Sequence, residues 1–166
     1  MKIYAYFGLQ DFIIACGYKA EFIKSYFFNF RLMNENCTFN IREGEYKRLT
    51  SNAPDWNVTC IDTGLNTLTA GRLLALKSLL ENEPFMLTYG DGVADIDISK
   101  LLAFHKSHGK LATVTAVRPK ARFGLLNIKD NCVFDFCEKN QLHEGWINGG
   151  FFIFEPDFFR FLDKNE

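Results

Sequence analysis

The sequence predicts an α/β fold, with a mostly parallel β-sheet, helices on both of its faces and one β-hairpin. Short apolar segments of strand type alternate along the chain with segments whose apolar residues recur at helical spacing. The size agrees with this class, because 166 residues of which 48% are hydrophobic can enclose one compact core. No linker-like composition interrupts the alternation, so we expect a single domain over residues 1–166.

The predicted strands are apolar segments that end at turn residues. The first, DFIIACGY at 11–18, is rich in aliphatic side chains and is ended by Gly17. Further strands are predicted at CTFNI (37–41, within a polar and irregular stretch), NVTCIDTG (57–64), PFMLTYGDG (84–92), LATVTAVRP (111–119) and NGGFFIFEP (148–156). The segment FGLLNIKDNCVFDFCEK (123–139) predicts a hairpin that turns at Asp130 and Asn131.

Helices are predicted between these strands. Residues 19–30 and 97–108 carry apolar side chains at helical spacing. A third helix places Leu73, Leu76 and Leu80 on one face, and we expect Thr69 to cap its N-terminus. Asp95 and Asp97 lie at the head of the helix over 97–108, where we expect the carboxylates to cap rather than to bind metal. A last helix begins near Pro156, which fits a first helical turn.

Composition and charge exclude several classes of partner. The formal net charge is −1 and no stripe of Lys and Arg is present, so nucleic acid is not an expected partner. No apolar run approaches the roughly 18–20 residues of a membrane span, and the N-terminus lacks the pattern of a signal peptide. The five cysteines are odd in number and form no C-x-x-C motif, which predicts reduced thiols and a cytoplasmic location.

One aspartate stands between two glycines directly after a predicted strand. Ligands of open α/β sheets collect beyond the carboxyl ends of the strands, and Asp91 in the sequence YGDG falls there. Its neighbours Gly90 and Gly92 allow backbone to approach a ligand closely. A carboxylate suits Mg²⁺, which takes hard oxygen ligands and completes its shell with phosphates. The alternative is a tight turn in which Asp91 bonds its own backbone.

Several stretches taken together resemble the sugar-phosphate nucleotidyltransferase family. The stretches are DFIIACGYK, DWNVTCIDTG, TAGRL, LTYGDGVADIDI, FHKSHGKLATVTAVRP, RFGLLNI, EK at 138–139 and WINGGFFIFEP, and they follow one another over essentially the whole chain. Their combination is similar to the cytidylyl-transferring branch of the family. The resemblance implies a Rossmann-like sheet and a cytoplasmic, homo-oligomeric enzyme.

The resemblance also implies a reaction. An oxygen of glucose 1-phosphate would attack the α-phosphorus of CTP with Mg²⁺ bound, releasing pyrophosphate and forming CDP-glucose for the deoxysugars of surface polysaccharides such as O-antigen. The residues that match the family's motifs are Asp91 for the metal, Thr67, Arg72 and Gly90 for the nucleotide, and Gly124, Glu138, Lys139, Asn148 and Gly149 for the sugar phosphate. Asp91 and Arg72 would be the catalytic residues.

The sequence also departs from the family pattern. Family members open with a loop of the form G-G-x-G-T-R, followed by K-P-K-P-M, and neither occurs in these residues. We therefore expect the chain to correspond to the middle of the enzyme, without its first βα unit and its C-terminal part, and to be inactive alone. The alternative is a non-catalytic α/β remnant that binds sugar phosphate weakly or packs against a partner subunit.

Overall fold

The structure is a computed structural model that describes residues 1–50, 52–118, 125–137 and 145–162. Its helices are α1 Lys2–Tyr6, α2 Ala20–Phe28, α3 Phe30–Asn34, α4 Thr69–Ala75, α5 Lys77–Leu80 and α6 Ile98–His108, with a 3-10 helix at Pro156–Phe161. Its strands are β1 Asp11–Cys16, β2 Cys37–Asn40, β3 Glu45–Arg48, β4 Asn57–Asp62, β5 Phe85–Thr88, β6 Ala112–Val117, β7 Leu125–Lys129, β8 Cys132–Cys137 and β9 Ile147–Phe154.

The chain divides into two compact units. One contains Met1–Asn82 and the residues from Phe159 onward, and the other contains Glu83–Phe158. We refer to them as the first unit and the second unit. Among the described residues, none of the helices has the length and apolar character that crossing a membrane requires.

The first unit is built on a parallel strand pair. β1 and β4 pair in register from Asp11 opposite Asn57 to Cys16 opposite Asp62, so both strands end at the same edge. The Asn57 side chain donates to the Asp11 carboxylate at 2.8 Å, which ties the strand starts together. Both strands were predicted from their apolar runs, and this pair confirms the parallel α/β character of the fold.

The polar stretch that follows α3 contains a hairpin. β2 lies at the predicted short strand, and β3 pairs with it antiparallel from Cys37 opposite Arg48 to Asn40 opposite Glu45. The sequence of β3 is EYKR and all four residues are exposed, so no apolar alternation marks it as a strand. β3 was therefore not predicted.

The predicted cap at Thr69 is wrong. Thr69 is the first helical residue of α4, and the residue before it, Leu68, has extended backbone and makes no side-chain cap. The helix also stops at Ala75 and resumes as α5, with Leu76 between the two. Leu73 and Leu76 are buried, as the predicted apolar face requires. Burial of these leucines therefore positions the helix without a capping hydroxyl.

The second unit contains a three-stranded sheet in the order β5-β9-β6. β9 is antiparallel to both neighbours, so β5 and β6 run in the same direction on either side of it. Phe151 and Ile153 of β9 are about 1% exposed and Phe154 is also buried, as expected for a central strand covered on both faces. The α/β class is confirmed, with antiparallel pairing in this sheet and in the hairpins.

Local signals set the other elements of the second unit. Asp97 caps α6 by accepting a hydrogen bond from the Lys100 amide at 2.9 Å, as predicted. Gly109 ends the same helix in the left-handed conformation. The hairpin of β7 and β8 turns at Asp130 and Asn131, whose φ angles of 49° and 62° both lie in the left-handed region. That is the geometry a two-residue hairpin turn needs.

Candidate functional site

Arg72 lies at the carboxyl ends of the parallel strands of the first unit. Its Nη1 donates to the Thr63 hydroxyl at 2.6 Å and to the Cys16 carbonyl at 3.2 Å. The Thr63 hydroxyl in turn donates to the Cys16 carbonyl at 2.8 Å, and the Thr63 amide donates to the same oxygen. We call Cys16, Gly17, Thr63, Leu65 and Arg72 the arginine cluster. It holds a guanidinium at the edge where α/β sheets bind ligands.

The Arg72 guanidinium can approach the end of β1 closely because residue 17 is a glycine. A Cβ added to Gly17 would lie 2.6 Å from both terminal nitrogens of Arg72. A second glycine allows a similarly close approach, since a Cβ added to Gly64 would lie 2.6 Å from the Thr67 hydroxyl. Gly64 also has a φ of 93°, which favours glycine. The predicted nucleotide residues Thr67 and Arg72 therefore both pack against glycine backbone in the loop after β4 and at the end of β1.

The Cys16 side chain is fully buried beneath this cluster. Burial raises the pKa of the Cys16 thiol, and the neighbouring Cys60 thiol raises it further. Cys16 and Cys60 lie on the same face of the strand pair, since Cys60 is opposite Ile14. A thiol with a raised pKa in apolar surroundings is a packing residue rather than a nucleophile.

A second cluster lies at the edge of the sheet in the second unit. The Asn148 amide nitrogen donates to the Tyr89 hydroxyl at 3.0 Å, and the Asn148 side-chain oxygen accepts from the Gly150 amide at 2.8 Å. The Tyr89 ring covers Gly150, where an added Cβ would lie 2.8 Å from the ring. We call Tyr89, Asn148, Gly149 and Gly150 the tyrosine cluster. It joins the end of β5 to the start of β9.

The two glycines of this cluster fit a distorted stretch of sheet. The pairing of β6 with β9 shifts register between Val114 and Ala116, as at a β-bulge. A Cβ on Gly149 would lie 2.9 Å from the Thr115 carbonyl oxygen, and Gly150 has a φ of 78°. Side chains at these positions would therefore strain the backbone or collide with it.

Asp91 lies on the exposed turn that follows β5. The Gly92 amide donates to the Tyr89 carbonyl at 3.3 Å across this turn. No group of three or more metal-ligating side chains occurs among the described residues. A single exposed carboxylate nevertheless fits the needs of Mg²⁺, which binds through one or two protein carboxylates and takes its other ligands from water and phosphates. The donor set is thus compatible with the predicted magnesium ion, with Asp91 as the protein ligand.

The structure brings several predicted site residues together. Thr88 is opposite Phe151 in the sheet, so the turn carrying Gly90 and Asp91 continues past β9 at the edge where Asn148 and Gly149 lie. In the first unit, Thr67 packs against Gly64 and Arg72 packs against Gly17. Gly124, Glu138 and Lys139 lie outside the described residues.

Sequence reasoning missed three contributors to these edges. The Thr63 hydroxyl accepts a hydrogen bond from Arg72, and the Tyr89 hydroxyl accepts one from Asn148. Thr63 directly follows β4, and Tyr89 directly follows β5. The third is a stacked pair, in which the Arg118 guanidinium lies 4.5 Å from the centre of the Trp146 ring. Arg118 follows Val117, which is opposite Ile147, so the stack lies at the same edge of β6 and β9 as Asn148. The available signal was position beside a strand terminus, since Thr63, Tyr89 and Arg118 each directly follow a strand and Trp146 directly precedes β9.

A buried hydrogen-bond chain supports β6 from the side of α6. The Lys110 amide donates to His108 Nδ1 at 2.9 Å, so a neutral His108 carries its hydrogen on Nε2 and donates to the Thr113 hydroxyl at 2.7 Å. The Thr113 hydroxyl donates to His105 Nδ1 at 2.7 Å, and His105 Nε2 donates to the Glu155 carboxylate at 3.1 Å. The tautomers are assigned from these partners. The two imidazoles thus act as structural links.

A shallow cavity of about 460 Å³ lies elsewhere in the first unit. Phe27, Phe30 and Trp56 form its aromatic wall, with Arg31 and Asp55 at its margin. It contains none of the predicted site residues. The two strand-end clusters, and not this cavity, therefore carry the candidate chemistry.

An α/β sheet with polar clusters at its strand ends is the architecture of many nucleotide-binding enzymes. The family model for "Nucleotidyl transferase" matches residues 32–166. The chain is 43% identical over 166 residues to a glucose-1-phosphate cytidylyltransferase of Salmonella typhimurium, covering 99% of this chain and 65% of that protein. It is 41% identical over 165 residues to a probable glucose-1-phosphate cytidylyltransferase of Bacillus subtilis, covering 99% of this chain and 64% of that protein. The chain belongs to the nucleotidyl transferase family.

The fold agrees with this membership. The crystal structure of HddC from Yersinia pseudotuberculosis complexed with GMP-PN superposes with a TM-score of 0.56 at 21% identity. The match covers 95% of this chain and 61% of HddC. At that identity the likeness shows the fold alone. The chain spans about 65% of the length of the Salmonella relative.

Proposed function

We propose that the chain forms part of a glucose-1-phosphate cytidylyltransferase. An oxygen of glucose 1-phosphate forms a bond to the α-phosphorus of CTP, the bond between the α-phosphorus and the bridging oxygen breaks, and pyrophosphate leaves with CDP-glucose as product. The observation that carries this proposal is the 43% identity to a cytidylyltransferase over 99% of the chain. The placement of the predicted residues at two strand ends supports it.

The arginine cluster serves the nucleotide in this proposal. Arg72 has five N–H donors. Nη1 donates to Cys16 and Thr63, and Nη2 donates to the Leu65 carbonyl at 3.5 Å, so the donors that these contacts leave suit phosphate oxygens. Thr67 lies in the loop after β4 and supplies a hydroxyl. Because Arg72 is already oriented by protein acceptors, it does not have to be ordered when CTP binds.

The edge of the second unit serves the metal and the sugar phosphate. Asp91 would hold Mg²⁺, which supplies positive charge to the phosphates when it is bound. Gly90 allows the nucleotide to approach, and Asn148 and Gly149 contribute to the wall of the sugar pocket, to which the match with the family motif also assigns Gly124. Glu138 accepts the sugar hydroxyls and Lys139 neutralises the phosphate.

The wider role follows from the product. CDP-glucose is a precursor of deoxysugars in surface polysaccharides such as O-antigen. The resemblance to the family supports a cytoplasmic, homo-oligomeric enzyme in this proposal. These 166 residues contain no G-G-x-G-T-R loop, whose amides hold the triphosphate in the family. We therefore propose that the 166-residue polypeptide alone turns over far more slowly than one that also carries this loop, since losing one oriented donor costs about 10²–10³ in kcat.

The test uses Asp91→Asn with Asp95→Asn as the matched control, because both carboxylates are exposed and lie four residues apart. Calorimetry measures CTP binding to the 166-residue chain with and without Mg²⁺, and pyrophosphate release from CTP and glucose 1-phosphate is followed in a polypeptide that includes the loop. We expect Asp91→Asn to lose the metal-dependent part of CTP binding and Asp95→Asn to retain it. Equal metal dependence in both variants, or no pyrophosphate release by the longer parent, contradicts the proposal.

A further inference from the structure

Tyr89 links the turn that carries Asp91 to the predicted sugar pocket. Its hydroxyl accepts from the Asn148 amide nitrogen at 3.0 Å, and its ring covers Gly150. The ring also meets Phe152 edge-on, with a centroid distance of 5.9 Å. Contacts with Asn148, Gly150 and Phe152 thus hold the Tyr89 side chain against β9.

The carboxamide of Asn148 is held at both ends. The Gly150 amide can only donate, so the atom it contacts at 2.8 Å must be the Asn148 oxygen. This leaves the amide nitrogen for the Tyr89 hydroxyl and determines which way the group is turned. One N–H of Asn148 and a lone pair of its oxygen remain for a ligand.

The packing of the Tyr89 ring does not require its hydroxyl group. Tyr89 is 44% exposed, and phenylalanine would cover Gly150 and meet Phe152 with the same ring. The oxygen therefore adds only the hydrogen bond to Asn148. Since Asn148 is itself exposed, this bond orients a side chain at the surface rather than satisfying a buried group.

We propose that Tyr89 is a positioning residue, which orients the Asn148 carboxamide to hydrogen-bond the sugar of the sugar phosphate. This inference rests on the proposed function. It adds that Tyr89 acts through Asn148, without contacting the reacting phosphate, and that Gly150 is required because any side chain there would displace the Tyr89 ring. A side chain oriented before binding loses less conformational entropy when the ligand arrives, and this raises affinity.

The test compares Tyr89→Phe with Tyr46→Phe, an exposed tyrosine of β3 in the first unit. Calorimetry measures the affinity of each full chain for glucose 1-phosphate and, separately, for CTP with Mg²⁺. We expect Tyr89→Phe to weaken glucose 1-phosphate binding by about three- to tenfold, the loss of one neutral hydrogen bond, and to leave CTP binding unchanged. Tyr46→Phe should alter neither affinity.

A double-mutant cycle separates positioning from direct contact. If Tyr89 acts through Asn148, then Tyr89→Phe has no further effect on glucose 1-phosphate binding once Asn148→Ala is present. Additive losses in the double variant overturn the positioning role. Thermal unfolding of each variant is recorded alongside, and a purely structural role would lower the Tm of Tyr89→Phe equally in both backgrounds.

A measurement without ligand completes the test. The side-chain amide resonances of Asn148 should shift or broaden in Tyr89→Phe and stay in place in Tyr46→Phe. Unchanged resonances in Tyr89→Phe overturn the inference whatever the chain binds. If the parent chain binds neither ligand, the proposed function is overturned. If the parent and Tyr89→Phe bind glucose 1-phosphate with equal affinity, only the role of Tyr89 is overturned.

Discussion

The arginine cluster and the tyrosine cluster hold their polar side chains in place by different kinds of contact. In the arginine cluster, a long side chain is held by hydrogen bonds to Thr63 and Cys16, and the glycine beside it meets the far end of that side chain. In the tyrosine cluster, Gly149 meets a backbone carbonyl and Gly150 meets an aromatic ring. A methyl group added in the arginine cluster can be accommodated by a movement of the Arg72 side chain, whereas one added in the tyrosine cluster would collide with backbone or with an aromatic ring.

This difference suits the two proposed ligands. A triphosphate is extended and highly charged, so it suits a guanidinium that is held by hydrogen bonds and keeps donors for phosphate oxygens. A sugar is recognised by the positions of its hydroxyls, and recognition of that kind needs polar groups at defined places. The comparison therefore predicts that equal substitutions at the glycines of the two clusters have unequal consequences.

The largest effect is expected for Gly150→Ala. The added Cβ would lie 2.8 Å from the Tyr89 ring, and a φ of 78° is costly for alanine, so we expect the free energy of unfolding to fall by about 2–4 kcal/mol. Urea unfolding measures this change. Gly145→Ala is the matched control, because among the described residues no atom beyond its chain neighbours lies within 4 Å of its added Cβ. A Gly150→Ala variant as stable as this control would show that the tyrosine cluster is not rigid.

A smaller loss is expected for Thr113→Val, which removes the hydroxyl between two imidazoles that support the sheet beneath the tyrosine cluster. The buried His105 nitrogen loses its partner, which costs about 1–3 kcal/mol. Thr115→Val on the same strand is the control. Its hydroxyl oxygen is buried and has no hydrogen-bond partner among the described residues, so the change should be neutral or stabilising. Equal losses in both urea titrations would contradict the assigned hydrogen-bond chain.

Gly17→Ala should perturb stability less than Gly150→Ala. The Cβ would lie 2.6 Å from two Arg72 nitrogens, but these are the far end of a side chain with several rotatable bonds. We expect a loss of no more than about 1 kcal/mol as Arg72 gives up its bond to Thr63. Urea unfolding measures it against Gly145→Ala. A loss above about 2 kcal/mol would mean that the arginine cluster is as rigid as the other one.

The smallest effect concerns the Cys16 thiol beneath the arginine cluster. Its raised pKa means that less thiolate forms at a given pH, so alkylation by iodoacetamide should become fast only at a higher pH than for the exposed Cys132. Peptide mass spectrometry across about pH 7–10 measures both rates in one sample. Burial alone would slow Cys16 equally at every pH. A shared pH midpoint for the two cysteines would therefore contradict the shift.

Much of the fold could be predicted from local signals. The apolar runs of β1, β4, β5 and β6, the Asp97 cap and the Asp130–Asn131 turn all depend on residues close in sequence. β3 could not be predicted because its four exposed residues carry no apolar pattern. The Thr69 cap failed because the helix begins one residue earlier than predicted, so the capping position falls on Leu68, whose side chain has no oxygen to accept a hydrogen bond.

The candidate site divides in the same way. Asp91 was identified from its place directly after a predicted strand, whereas Arg72 and Asn148 were identified from the resemblance of their motifs to the family, and the roles of all three stay predictions. The antiparallel course of β9 was decided only by the tertiary structure, and it is this course that brings Asn148 to Tyr89 across a separation of 59 residues. Local residue patterns indicated which side chains could do chemistry and roughly where the strands end. Strand pairing decided which of them meet, because hydrogen bonds between strands depend on segments that are distant along the chain.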